Sequence, residues 1–173
     1  MRRALFLVFL AFLPSGPLLA QNGDAAVQSI APLHEMVKGY IIASAEQMPE
    51  SRYNYRPTED VRSFGQIIGH VANSLYYFCG VVAGDQAEPP EDFEQRTTKA
   101  GLVEAIKMGF SACDAAYAID DATAMTEVDF FGNTGTRLWV LTFNLTHNWE
   151  HYGNLVTYLR ANGQVPPSSQ GGM

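Results

Sequence analysis

Four stretches of this chain repeat their apolar residues every three or four positions, and that spacing leaves little choice of fold. A period near 3.6 places such residues along one side of an α-helix. The first stretch covers about residues 24–47, with Val27, Ile30, Leu33, Val37 and Ile41 on its stripe. The second runs from near Ser63 to a helix-ending Gly84, carrying Phe64, Ile67, Val71, Leu75 and Phe78. The third starts at Thr97 or Thr98 as a cap and reaches about Ala118 through Leu102, Ile106, Phe110, Cys113 and Tyr117. The fourth spans about Thr136 to Ala161, and Gly163 with Pro166-Pro167 stops it. Pro49 and Pro57 punctuate the first gap, and "DQAEPPEDFEQR" fills the second. In the last gap, residues 128–131 read as a short extended piece. Helices of about 20 residues bury such stripes against one another, so the expected fold is all-α, a four-helix bundle. The connection between the second and third helices is long enough to cross the bundle, so an up-down-up-down order is not required.

The N-terminus belongs to a different category. Arg2 and Arg3 precede the apolar run from Ala4 to Leu13, and Leu18-Leu19-Ala20 comes before Gln21. This is the plan of a secretory signal peptide, residues 1–20, cut after Ala20. Pro14 and Gly16 break the run, which falls short of the roughly 20 apolar residues of a spanning helix. The expectation is an exported protein, periplasmic or extracellular, whose mature part is a single domain at residues 21–173 with no membrane attachment after cleavage. Loss of Arg2 and Arg3 leaves nine basic side chains against eighteen acidic ones. Such a balance excludes nucleic acid as a partner, because phosphate binding needs a basic surface. Cys79 and Cys113 are the two cysteines. In an oxidising compartment they read either as a disulfide or as two buried thiols on separate helices.

The inner line of the fourth helix is Val140, Phe143, His147, His151, Leu155 and Tyr158. Two histidines thus stand where apolar residues belong, one turn apart and on one face. A buried imidazole needs a hydrogen-bond partner or a metal, since leaving it bare costs about 1–3 kcal/mol. His70, mid-way along the second helix, lies near another apolar stripe. Three of the chain's four histidines therefore face a predicted bundle interior. Three imidazoles on facing helices can hold a divalent metal and leave one position open for water or substrate. His34, on the first helix, reads as a surface or rim residue.

"HNWEH" at residues 147–151 also matches H-x-x-E-H, the inverted zinc-peptidase motif. That motif needs an acidic ligand well downstream, and the 22 residues after His151 contain no Asp or Glu. Glu150 is then a partner to the histidine face or a solvated charge. Asn73, Asn144 and Asn148 lie within about a turn of the histidines. Each either orients an imidazole or holds a polar place at the bundle edge. Tyr76, Tyr77, Trp149 and Tyr152 supply aromatic walls or plain core.

Three pieces together resemble the DinB-like family, which includes the YfiT-type metal-dependent hydrolases. They are "YNYRPTEDVRSFGQIIGHVANSLYYFCG", "TKAGLVEAIKMGFSACDAA" and "NLTHNWEHYGNLVTYLRANGQVPPSS", in family order. The resemblance implies a DinB-like bundle with an up-down-down-up order of helices. It implies a divalent metal, zinc or nickel, with His70, His147 and His151 as ligands; Asn73, Asn144 and Glu150 are the expected supporting residues by their nearness to these histidines in the sequence. It also implies a small-molecule substrate or a thiol as partner, handled by a hydrolase or a thiol S-transferase, and it is compatible with a homodimer. Characterised relatives include bacillithiol- or mycothiol-dependent enzymes, among them a maleylpyruvate isomerase. The competing expectation is a non-catalytic metal- or ligand-binding bundle acting as a carrier or stress protein.

Overall fold

The computed structural model describes residues 25–85 and 88–171. The expected signal peptide, residues 1–20, lies outside the described residues. In chain order the elements are α1 (Ala25–Gln47), α2 (Phe64–Ala83), α3 (Lys99–Cys113), the single turn α4 (Asp121–Ala124), the strands β1 (Glu127–Phe130) and β2 (Asn133–Thr136), and α5 (Arg137–Ala161). Short 3-10 turns intervene, one of them at Phe93–Gln95.

Local chemistry sets the helix ends. Ser63 caps α2 in a reciprocal box: its hydroxyl accepts from the Gln66 backbone N–H, and Gln66 Oε1 accepts from the Ser63 N–H. Thr98 and Thr136 cap α3 and α5 by accepting from the N–H groups of Gly101 and Trp139. Gly84 ends α2 in the left-handed conformation, with φ 88°. The third helix stops earlier than its periodicity predicts. It ends at Cys113, and a 3-10 turn at Ala116–Ala118 tightens the chain so that the Tyr117 hydroxyl reaches the Leu141 carbonyl at 2.9 Å. The expected extended piece is one arm of a hairpin, in which β1 pairs antiparallel with β2 and Phe130 lies opposite Asn133.

Contacts between the long helices give their directions. Lys107 pairs with Glu46 and Lys38 with Asp114, so α1 and α3 run antiparallel. A Cβ on Gly65 would meet Leu102 and one on Gly109 would meet Ala72, so α2 and α3 run parallel. His70 faces His147, and the Tyr158 hydroxyl donates to the Arg62 carbonyl, so α5 runs back along α2. Tyr40 stacks on Tyr152, while Gln47 near the end of α1 donates to Val165 just beyond α5, so those two run together. Taken in chain order, the long helices run up, down, down, up. Cys79 and Cys113 form a disulfide between the parallel helices α2 and α3, with Cα atoms 5.2 Å apart. Among the described residues no helix is long and apolar enough to cross a membrane.

One face of α1 departs from its expected register. His34 is fully buried instead of lying at the rim, and Leu33 is 43% exposed. Val27, His34 and Ile41 are seven apart, and this is the line that meets the bundle. The His34 ring stacks on Tyr117 with centroids 3.7 Å apart, and neither of its nitrogens has a hydrogen-bond partner.

Candidate metal centre

The bundle directions bring the middle of α2 against the middle of α5, and three imidazoles meet there. His70 Nε2 lies 3.2 Å from His147 Nε2, which lies 3.1 Å from His151 Nε2. His151 is buried, and His70 and His147 are half-buried. The one-turn spacing of His147 and His151 aims both rings to the same side of α5, and His70 answers from α2.

Hydrogen bonding among the three does not account for this geometry. His70 Nδ1 is 2.9 Å from the Glu94 carboxylate and donates to it as a neutral imidazole. Its Nε2 is then a bare lone pair aimed at His147. His147 Nε2 faces two neighbours, yet an imidazole nitrogen offers either one proton or one lone pair. The Nδ1 atoms of His147 and His151 are buried without partners. Three imidazole nitrogens, all within 4.8 Å of one another, fit a metal ion instead. Ligands about 2.0–2.1 Å from a tetrahedral zinc are about 3.3 Å from one another, close to the separations here.

The electrostatics favour the neutral, ligating forms. Burial, reinforced by the neighbouring imidazoles, lowers His147 to a pKa of about 4 and His151 to about 3. His70 is lowered too, chiefly by burial and by the Arg62 charge, against the opposing pull of Glu94 and Glu150. All three therefore offer nitrogen lone pairs at neutral pH, as metal binding requires.

Glu94, which sequence reasoning did not single out, is the acidic partner of this cluster. It sits in the 3-10 turn Phe93–Gln95, where it also accepts from Arg62 at 3.1 Å. Two residues of α2 hold that turn in place. Gly69 lets the chain approach: a Cβ there would fall 2.4 Å from the Phe93 carbonyl oxygen. Asn73 accepts from the Phe93 N–H at 3.0 Å and donates to Asp92 at 2.7 Å. Asn73 thus acts on the segment carrying Glu94 and not on an imidazole. The one legible sign was Phe93, a single aromatic within a polar connection, which the fold buries completely.

The other expected supporting residues stand further out. Asn144 is fully buried, donates to the Tyr117 hydroxyl at 3.0 Å and accepts from Asn148 at 3.3 Å, so it braces the core beside the disulfide. Asn148 Oδ1, like His147 Nδ1, is buried without a hydrogen-bond partner. Glu150 is exposed and lines a cleft shared by His151, Arg62 and Tyr158. A larger cavity, about 610 Å³, opens on the other side beside His70 and His147. Tyr77, Phe78, Phe131 and Phe143 form one of its walls, and Glu88, Glu91 and Asp92 lie on another.

The model of the DinB superfamily matches residues 35–155, which include all three histidines and Glu94. The chain belongs to the DinB superfamily. It is 25% identical over 124 residues to the protein YjoA of Bacillus subtilis strain 168, a match covering 70% of this chain and 80% of YjoA. The crystal structure of YjoA superposes with a TM-score of 0.67 at 23% identity, covering 87% of this chain and all of YjoA's. A DinB-like protein from Bacillus cereus ATCC 10987 gives a TM-score of 0.68 at 15% identity, over 82% of this chain and 93% of its own. The mycothiol-dependent maleylpyruvate isomerase shares the fold with a TM-score of 0.62 at 14% identity, over 75% of this chain and 60% of the isomerase.

Proposed function

We propose that this DinB-superfamily protein is an exported, metal-dependent hydrolase of a small molecule, with zinc or nickel held by His70, His147 and His151. The observation that carries the reading is the convergence of three Nε2 atoms that cannot satisfy one another as hydrogen-bond partners. A divalent ion supplies Lewis acidity, which lowers the pKa of a water or thiol nucleophile towards neutrality. The protein's own residues do the rest. Glu94 holds the His70 Nδ1 proton and so keeps Nε2 directed inward. Arg62 orients Glu94, and the aromatic wall of the cavity excludes water from one side of the bound molecule.

A water nucleophile suits this chain better than a thiol. The Cys79–Cys113 disulfide favours an oxidising compartment, as does the leader-like N-terminus. Low-molecular-weight thiols are kept reduced mainly in the cytosol. The mycothiol-dependent relative keeps S-transfer as the alternative chemistry on the same ligands.

Element analysis of purified protein tests the reading. One zinc or nickel per chain is expected, with loss of that metal in His147→Ala and His151→Ala. A wild-type protein that takes up neither metal on addition would overturn it. Ester hydrolysis by wild type and not by His147→Ala separates an enzyme from a carrier. Turnover only in the presence of an added thiol would select S-transfer. A purified N-terminus at Gln21 is expected for the exported form, and Met1 would refute cleavage.

A further inference from the structure

We propose that the cavity beside the three histidines takes a small molecule with a cationic head, set against its acidic wall, and an aromatic or aliphatic body. The inference deepens the reading of the site given above and rests on it for the placement of the ligand against His70 and His147.

The first support is charge. The cavity of about 610 Å³ is bordered by Glu88, Glu91 and Asp92, and no lysine or arginine lines it among the described residues. Glu91 is paired with Arg96, which turns its guanidinium away to Glu104 and the Gly101 carbonyl as well. Asp92 receives only neutral donors: the amides of Asn73 and Gln95 and the Glu94 N–H. Glu88 is exposed and has no ion pair among the described residues. Two carboxylates bordering the cavity, Glu88 and Asp92, therefore have no cationic side chain paired with them among the described residues.

The second support is the facing wall. Tyr77 and Phe131 have ring centroids 5.5 Å apart, and Phe131 and Phe143 6.1 Å. Aromatic faces carry negative potential and attract cations, alkylammonium groups above all. Phe131 itself is unusual. It sits at the tip of the β1–β2 hairpin with φ 50°, a left-handed conformation that bulky residues rarely adopt, and its side chain is 61% exposed. Tip positions of two-residue hairpins ordinarily go to Asn, Asp or Gly. A large aromatic there packs one side against Phe130 and Phe143 and, largely in water, lines the cavity with the rest of its ring.

Benzyltrimethylammonium is the direct probe, because it has no lone pair and cannot ligate a metal. Its binding to the full chain is measured by calorimetry against phenylacetate, once with metal removed by chelation and once after zinc loading. In the metal-depleted protein the cation is expected to bind at least about tenfold tighter than phenylacetate, an advantage that shrinks with added salt. Glu88→Gln and Phe131→Leu are each expected to weaken the cation by about threefold or more, with helical circular dichroism unchanged. Equal or stronger binding of phenylacetate to the metal-depleted protein overturns the inference, as does a cation affinity insensitive to both substitutions. Zinc uptake without cation preference removes this inference and leaves the metal centre standing. Cation preference without zinc uptake does the reverse.

Discussion

At the scale of single residues, His70 and Glu94 form the pair on which the proposed metal centre rests. The carboxylate fixes the tautomer of His70, so removing its charge costs metal affinity without opening the core. Glu94→Gln is expected to weaken zinc binding 10- to 100-fold in a chelator competition, with a thermal midpoint in the metal-free protein within a few degrees of wild type. His34 presents the opposite case, a histidine buried with no partner. Burial and the Lys38 charge lower its pKa to about 4, against a smaller pull from Asp114. The unfolded chain takes up that proton near pH 6.5, before the folded one does. Stability is therefore complete above about pH 6.5 and falls as the pH drops towards 4, by up to about 1.4 kcal/mol per pH unit for each such group. His34→Phe keeps the ring against Tyr117 and removes one titrating group. Denaturant titrations of the metal-free variant between pH 6 and 4.5 are expected to show a slope smaller by about one proton, and an unchanged slope would exclude His34 as a source of acid sensitivity.

At the scale of elements, the turn Phe93–Gln95 is a small piece of irregular chain that carries the carboxylate meeting His70. Its hold on α2 is steric as much as polar. Gly69 admits the Phe93 backbone, and Asn73 ties it by two hydrogen bonds. Gly69→Ala would place a methyl group where backbone atoms already lie, and neither backbone gives easily. The expected result is a loss of about 1–3 kcal/mol in unfolding free energy together with weaker zinc binding, because Glu94 moves with the turn. A variant that lost stability and kept full zinc affinity would separate the turn from the centre. The periodic helices were legible to within a residue or two at most ends, since caps such as Ser63, Thr98 and Thr136 act locally. One arm of the hairpin was legible as an extended piece at 128–131, but its pairing with β2 and the Phe93–Gln95 turn were not, because neither has a repeating pattern and each forms by docking, the hairpin on α2 and α5 and the turn on α2.

At the scale of the molecule, the disulfide and the three-histidine cluster both anchor on α2 and tie it to different partners. Cys79 and Cys113 are 34 positions apart and tie α2 to α3, while the histidines tie α2 to α5. By the loop-closure relation a cross-link of that separation restricts the unfolded chain by about 4 kcal/mol, an upper bound in practice. Cys79→Ala/Cys113→Ala is expected to lower the unfolding free energy by about 2–4 kcal/mol. Zinc loading should restore part of that loss, growing with the logarithm of the free metal concentration once it exceeds the dissociation constant. Reductant should move the midpoint of the wild type and leave that of the double variant alone.

The amphipathic periods by themselves determined that the chain is helical, where three of its helices begin, and that His147 and His151 share a face. These are consequences of spacing along one helix, and spacing is local. Joined to the family resemblance, they extended to the three-histidine set. Tertiary structure alone decided that His34 is interior, that the two cysteines are bonded, and that Glu94 from a loop is the partner of His70. Each of these depends on which surfaces meet after the helices pack, and a one-residue shift on α1 was enough to exchange Leu33 for His34. The acid that meets His70 was invisible for the same reason. Glu150 is near His151 in sequence, whereas Glu94 is near His70 only because a glycine lets a distant turn lie against α2.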